Sequence, residues 1–172
     1  YIFGNSGDRT FVGQTVEGVD QPVTAAIEVP PGAVEITLEG GALGERYFQV
    51  GNIIYDTLPL LPGEGTRQLV VQYAVPFTTE AVDLAQQFLY PVEQLNLLVP
   101  TTSGLQVSAP AMTAAAPQNM GGQEYQLFVR DAFEPQVVSV NLTGLLPAGS
   151  PDPRAAAATA ATGETSAAGE LG

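Results

Sequence analysis

Alternating apolar and polar side chains recur along residues 1–146, in short segments that Gly and Pro residues separate. In residues 34–39 (VEITLE), the apolar side chains lie on one face and the polar side chains on the other, because successive side chains of a strand point to opposite faces. Segments with this period and length are typical of antiparallel strands rather than helices. We therefore expect Val34, Ile36 and Leu38 to face the core.

The clearest turn signal is the pair Gly51 and Asn52, which separates two strand-like segments, residues 46–50 and 53–57. Both turn residues tolerate a positive φ, as the two-residue turns between adjacent antiparallel strands require. We predict a β-hairpin here, with Asp56 as a strand residue close to the turn.

Two more features follow from the alternation. A second hairpin is predicted from residues 25–29 and 34–39, because the Pro-Pro-Gly sequence at 30–32 favours a turn. Residues 69–77 keep one alternation over a longer stretch, so we predict a single central strand there. Its buried face would carry Leu69, Val71, Tyr73, Val75 and Phe77.

Shorter strand-like segments lie at residues 82–88, 95–99, 105–107, 125–129 and 138–142. Residues 108–122, rich in Ala, Pro, Gln and Asn, show neither a helical nor a strand period, so we predict a long loop. About nine or ten short strands with frequent turn signals are typical of a two-sheet sandwich or of a barrel. Of these two, we predict an all-β, antiparallel two-sheet β-sandwich over residues 1–146.

The composition changes at Pro147. Residues 147–172 consist mainly of Ala, Gly, Pro, Thr and Ser and contain almost no bulky apolar side chain. Such a segment buries too little apolar surface to offset the entropy lost on ordering. We predict a flexible, disordered linker, and we expect a membrane anchor or a further domain beyond Gly172.

The reactive side chains exclude most enzyme chemistry. The chain has no His, Cys or Trp, and its 5 basic residues are all arginines. It therefore lacks a lysine for Schiff-base chemistry, a thiolate nucleophile, and an imidazole for a catalytic triad or a transition-metal site. The 18 acidic residues include no pair that the sequence marks as catalytic. We predict a non-catalytic protein with no catalytic or cofactor-binding residues.

Three short motifs resemble functional signatures. Residues 4–7 (GNSG) are followed by Asp8 rather than the glycine that completes a nucleophile elbow, so we predict a turn. The Asp-Thr pair at 56–57 is followed by Leu58, where an aspartic protease requires glycine. Residues 141–143 (NLT) fit the N-glycosylation sequon, but we interpret them as part of a strand.

Calcium is the one metal whose oxygen ligands this chain offers, because it needs neither thiolate nor imidazole. The candidate ligands lie in two Gly-containing stretches: Asp8, Glu17 and Asp20 in the first, and Glu39 and Glu45 in the second. We nevertheless favour the interpretation that these acids are ordinary solvated surface charges and predict no metal site or cofactor, with a calcium site as the alternative.

The formal net charge of the chain is -13 at pH 7. Nucleic-acid phosphates and anionic membrane surfaces would be repelled, because binding to them depends on Lys and Arg. The sequence has no apolar run of the length that a membrane-spanning helix needs. It begins at Tyr1 rather than Met, so we expect that a signal or another upstream segment has been removed.

The turns at 30–32 and 51–52, the Pro- and Gly-containing stretch at 56–65 and the strand at 68–77 carry a resemblance. They resemble extracytoplasmic immunoglobulin-like or regulatory-like domains of bacterial membrane-anchored proteins, over most of residues 20–146. The resemblance implies a location in the periplasm or at the cell surface and a tether to the membrane. It implies no particular ligand, since such domains share no catalytic residues.

Three functions agree with these observations. The first is a binding or spacer module of the cell envelope, which contacts a protein or polysaccharide through loops or an exposed sheet edge. The second is a structural subunit of a surface layer or filament that assembles through sheet edges. The third is a carbohydrate-binding module, which an exposed row of tyrosines would favour.

Overall fold

The computed structural model describes residues 1–101 and 104–146. These residues form fifteen β-strands and no helix, and all nine pairings between the strands are antiparallel. The predicted all-β, antiparallel class is therefore confirmed. The strands are β1 (Ile2–Asn5), β2 (Gln14–Val16), β3 (Val19–Val23), β4 (Ala25–Glu28), β5 (Val34–Leu38), β6 (Tyr47–Val50), β7 (Ile53–Asp56), β8 (Gly63–Gln68), β9 (Val71–Ala74), β10 (Ala81–Gln87), β11 (Val92–Pro100), β12 (Gln106–Ser108), β13 (Thr113–Met120), β14 (Gln123–Phe133) and β15 (Val137–Thr143).

The strands form three pairs and three sheets of three strands. The pairs are β1–β8, β2–β3 and β5–β9, and the larger sheets have the orders β4–β7–β6, β10–β15–β12 and β11–β14–β13. All pairings of β1 to β9 are with one another, and so are all pairings of β10 to β15. Side-chain contacts join the two groups: Tyr90 accepts a hydrogen bond from the backbone of Ala26 (3.0 Å), and Gln86 donates one to the Glu28 carbonyl.

A compact core forms among the first nine strands. Its buried residues are Ile27, Val29, Tyr47, Ile54 and Leu69. The Tyr47 side chain is fully buried, and its hydroxyl donates a 2.8 Å hydrogen bond to a backbone carbonyl oxygen, that of Glu39. This bond avoids the cost of an unsatisfied polar group in an apolar core.

The hairpin predicted at Gly51 and Asn52 is confirmed. Strands β6 and β7 pair with Val50 opposite Ile53, which leaves two residues in the turn. Gly51 has a φ of 62°, whereas Asn52 is not among the described residues with positive φ. A positive φ at the first central position alone is characteristic of a type II′ turn.

The hairpin predicted from residues 25–29 and 34–39 is wrong. The turn itself forms, with a hydrogen bond from Ala33 N to the Pro30 carbonyl (3.0 Å) and a φ of 82° at Gly32. However, β4 pairs with β7 and β5 pairs with β9. The turn therefore carries the chain from one sheet to another, which a local pattern does not distinguish from a return along the same sheet.

The face predicted for residues 34–39 is partly correct. Ile36 and Leu38 pack against the core, but Val34 is 44% exposed. Glu35 has a φ of 54°, and the register between β5 and β9 shifts between Val34 and Thr37. Such a bulge inserts an extra residue and changes which face the preceding side chain occupies.

The single central strand predicted at 69–77 is also wrong. The chain forms β8 and β9, interrupted at Leu69 and Val70, and each of these strands pairs with one neighbour. The Leu69 amide instead donates a 2.8 Å hydrogen bond to the Tyr1 carbonyl. Leu69 is buried and Val71 packs against the core, as expected, but Tyr73 is 37% exposed.

The long loop predicted at 108–122 contains a strand. Residues of β13 pair with β14, and every side chain of β13 is exposed. Main-chain hydrogen bonds hold this strand in place, so its side chains need no apolar alternation. The prediction also missed β1, β2 and β3, whereas the five shorter segments predicted between 82 and 142 correspond to β10, β11, β12, β14 and β15.

The predicted linker, residues 147–172, lies outside the described residues. The part of the chain that the structure describes contains no helix long and apolar enough to cross a membrane.

Candidate functional site

One concave feature is an apolar cavity of about 290 Å³ that is lined mainly by the second half of the chain. Most of its lining residues belong to β10, β11 and β15, and three lie before β10 in the chain. The lining residues are Tyr1, Pro30, Tyr73, Leu84, Ala85, Gln86, Phe88, Leu95, Asn96, Leu97, Val99, Met112, Val138, Val140 and Leu142.

Strand alternation explains why these walls are apolar. Along β11, Leu95, Leu97 and Val99 are more buried than the residues between them, because a period of two places them on one face. On β15, Val138 and Val140 lie on the lining face, and the intervening Ser139 is exposed. Leu95, Leu97 and Val140 line the cavity and are only partly buried.

An aromatic cluster adjoins one end of the cavity. Tyr1 stacks on Phe3 with ring centroids 6.3 Å apart and contacts Phe88 at 6.4 Å. Phe3 meets the Tyr90 ring edge-to-face at 5.9 Å, and Phe88 meets Phe133 in the same way at 5.4 Å. Such pairs contribute stability beyond the area they bury. The cluster fixes the position of Tyr1 and Phe88 at the cavity wall.

Two tyrosines, Tyr1 and Tyr73, belong to the lining of the cavity. Burial, and then the nearby Tyr73, raise the pKa of the Tyr1 phenol to about 12. Burial also raises the pKa of Tyr73. Both phenols are therefore uncharged at pH 7 and can act as O–H donors.

The tyrosines do not form the open row that a sugar-binding surface needs. Tyr1 and Tyr90 are about two-fifths exposed, at 39% and 42%, but both pack against Phe3. Tyr47 is fully buried in the core. The sugar-binding alternative therefore gains no support from these rings.

The second feature is a buried ion-pair cluster around Asp56. Arg46 makes a bidentate contact with this carboxylate, with Nε–Oδ1 and Nη2–Oδ2 distances of 2.9 and 2.8 Å. Arg67 approaches the same Oδ2 atom at 3.3 Å and also donates to the Thr24 hydroxyl. The Asp56 side chain is fully buried, and the backbone amide of Leu58 donates to its Oδ1.

This cluster is built for structure. The pKa of Arg46 is raised, mainly by its hydrogen bond to Asp56, whereas burial lowers the pKa of Arg67. The carboxylate oxygens already have donors, so the cluster offers no open position to a ligand. One polar atom, Arg67 Nε, is buried without a hydrogen-bond partner.

The interpretation of Asp56 as a plain strand residue missed its burial. Two signals point to that burial in retrospect. Asp56 lies two residues after Ile54, so both side chains belong to the same face of β7, and Ile54 is a core residue. The hairpin register then places Tyr47 opposite Asp56, which brings the preceding Arg46 within reach of the carboxylate.

A third feature is the outer edge of β13. This strand pairs with β14 on one side and with no other strand among residues 1–101 and 104–146. Its eight side chains are exposed, and its sequence, TAAAPQNM, contains no charge. Among the sheets formed by β10 to β15, the other edges are less open to a partner, because β10 and β11 carry Asp83 and Glu93 and β12 has three residues.

The structure does not bring the candidate calcium ligands together. Asp8, Glu17, Asp20, Glu39 and Glu45 are all exposed. Within the described residues, no three or more acidic side chains form a group that could hold a metal ion. The calcium hypothesis therefore has no geometric support.

The other predicted motifs are local structure. Residues 4–7 enter a turn in which Gly7 N donates to the Asn5 side chain (3.0 Å), as predicted. Asn141 lies in β15, also as predicted, and its amide donates a 2.7 Å hydrogen bond to Asp83.

Comparison with models of known families, with curated proteins and with solved structures found no match for this chain.

Proposed function

We propose that this chain is a non-catalytic binding module of the cell envelope that takes an extended segment of a partner protein as an additional strand along β13. The observation that carries the proposal is the outer edge of β13, which is eight residues long, exposed and uncharged. An unpaired edge offers backbone N–H and C=O groups to an incoming chain.

The side chains of β13 suit a close approach between two backbones. Ala114, Ala115 and Ala116 are small and exposed, so a partner strand can lie beside them without displacing bulky groups. The register with β14 shifts between Ala115 and Gln118, where Pro117 lacks an N–H. We expect the partner to pair mainly with residues 113–115.

The location and the finer architecture belong to the same proposal. The sheets β10–β15–β12 and β11–β14–β13 would be the two layers of an immunoglobulin-like sandwich, with the apolar cavity between them. The predicted linker would hold this module outside the cytoplasm, tethered to the membrane. The net charge of -13 favours partner segments that are neutral or basic.

The test is a selection of displayed ten-residue random peptides against the purified chain, followed by affinity measurement for the best binder. Ala114→Lys should weaken binding at least tenfold, because a charge on an edge strand opposes pairing. Ser139→Lys is the control, since it adds the same charge to an exposed position of the central strand β15. Equal affinity for both variants would refute the proposal, as would amide-exchange protection outside β13 in the complex.

The same edge also supports the structural-subunit alternative, because two copies of β13 could pair with each other. Size-exclusion chromatography and electron microscopy at rising protein concentration distinguish the two functions. A binding module keeps one elution volume, whereas a self-assembling subunit grows into larger species that Ala114→Lys abolishes.

A further inference from the structure

We propose that the cavity between β10, β15 and β11 is a binding site for a small uncharged apolar molecule, such as one that carries a fused aromatic ring. This site is separate from the outer edge of β13, and its existence does not depend on the function proposed for that edge.

The size of the cavity sets the size of the ligand. A volume of about 290 Å³ lies just below the roughly 300–1,000 Å³ typical of small-molecule sites, so the ligand must be small. The leucine and valine side chains that line it remain partly exposed to this space, as at Leu95, Leu97 and Val140. A ligand would bury apolar surface that the protein itself leaves unfilled.

The composition of the lining sets the charge of the ligand. The lining contains no Arg, Asp or Glu, so an anion would find no cation and a cation would find no carboxylate. The overall charge of -13 further disfavours anions. A neutral ligand loses the least solvation energy on entering such a site.

A few polar groups remain for orientation. Gln86 already donates to the carbonyls of Glu28 and Gln87. By contrast, the hydroxyls of Tyr1 and Tyr73 have no hydrogen-bond partner within the described residues. These groups can bind one hydroxyl, amine or carbonyl of a ligand. Met112, whose side chain is flexible, can adapt to the shape of the ligand.

The chain itself supplies no good occupant. Residues 147–172 contain a single bulky apolar side chain, Leu171, which is too little to fill a cavity lined by so many leucines and valines. A separate small molecule is therefore the occupant that the lining favours.

The experiment uses the neutral fluorophore N-phenyl-1-naphthylamine and the full chain. Fluorescence titration should show one saturable site, and the probe should shift the methyl NMR signals of Leu84, Leu97 and Val140. The anionic analogue 1-anilinonaphthalene-8-sulfonate should bind at least tenfold more weakly. Equal affinity for both fluorophores would refute the assignment of an uncharged ligand.

Two matched variants on β15 locate the site. Val140→Phe fills the cavity and should weaken binding of the neutral probe at least tenfold. Val137→Phe makes the same change on the opposite, solvent-exposed face, where the native side chain is 52% exposed, and should leave binding unchanged. Ala114→Lys on β13 should also leave it unchanged, which separates this site from the peptide-binding edge.

If Val140→Phe does not fold, the methyl NMR shifts that the probe causes in the wild-type protein still locate the binding site. Shifts confined to the lining residues would support the site. Shifts centred on the first-half core, at Ile27 and Ile54, or no saturable binding at all, would overturn it.

Discussion

At the scale of single residues, Asp56 is the acidic side chain in the described part of the protein whose loss should reduce stability most. It is fully buried and shared by Arg46 and Arg67, which are two of the 5 arginines in the chain. Burial of a carboxylate is tolerated because the charge is paired and its oxygens accept hydrogen bonds. Asp56, the last residue of β7, thereby links this strand to Arg46, which lies just before β6, and to Arg67, which lies in β8.

Asp56→Ala should destabilise the protein by about 3–5 kcal/mol, because it leaves two partly buried guanidinium groups without their counter-charge. Asp20→Ala is the control: Asp20 is exposed and takes part in no ion pair within the described residues, so its removal should change the free energy of unfolding by less than about 0.5 kcal/mol. Urea unfolding followed by tyrosine fluorescence measures both. Similar effects of the two variants would contradict the structural role of the cluster.

Substitutions at two glycines can distinguish the energetic cost of backbone strain from the cost of steric overlap. Gly51 and Gly144 both have positive φ, 62° and 75°, but a Cβ at Gly51 would meet no atom within 4 Å, whereas one at Gly144 would overlap the Gly104 carbonyl. Gly51→Ala should cost about 1–2 kcal/mol from backbone strain alone, and Gly51→Val should cost at least about 1 kcal/mol. Gly144→Ala should cost clearly more than Gly51→Ala in thermal unfolding. Equal losses for the two alanine variants would show that the end of β15 can move away.

At the scale of elements, local alternation identifies a strand but not its neighbours. The segments that became β10, β11 and β15 were found because one face of each is apolar. Strand β13 was missed because all its side chains are exposed. A strand held by main-chain pairing alone leaves no side-chain period in the sequence.

The interruption between β8 and β9 leads us to expect different stability losses from substitutions at residues 69 and 72. Leu69 is fully buried in the core cluster, so Leu69→Ala should destabilise by about 2–5 kcal/mol through lost burial and the cavity created. Gln72 is exposed on β9, and Gln72→Ala should stay within about 0.5 kcal/mol. Chemical denaturation of both variants checks the difference. An equal loss at Gln72 would contradict the described register of β9.

At the scale of the whole molecule, one fully buried and three partly buried tyrosines link the fold to alkaline pH. Burial is the main reason that the pKa values of four tyrosines are raised, namely Tyr1, Tyr47, Tyr73 and Tyr90. The pKa of Tyr1 is raised to about 12. A folded-state pKa above the unfolded value of about 10 means that the folded state holds its proton more tightly. This contribution to stability is fully present below pH 10 and is lost as the pH rises through 12.

The melting temperature should therefore fall steadily between pH 10 and 12. Absorbance at 295 nm should show tyrosines that ionise only above pH 10. Tyr73→Phe removes one titrating group with little change in shape and should reduce the steepness of the fall. Ionisation of every tyrosine near pH 10 in the folded protein would contradict the burial of these rings.

The amino-acid sequence alone predicts the all-β class, the hairpin at Gly51 and Asn52, and the shared apolar faces of β10, β11 and β15. These features depend on contacts within a few residues, on turn chemistry and on a period of two. It also determined the absence of His, Cys and Lys, which restricts the chemistry available to any site.

Long-range contacts in the folded protein determine which strands pair and which side chains meet. Strand β4 joins β7 rather than β5, Asp56 lies between two arginines, and the apolar faces of β11 and β15 border one cavity. The partners in each case are separated along the chain, and many alternative pairings satisfy the same local pattern. The choice among them depends on the burial and hydrogen bonding of the whole molecule, which short segments do not encode.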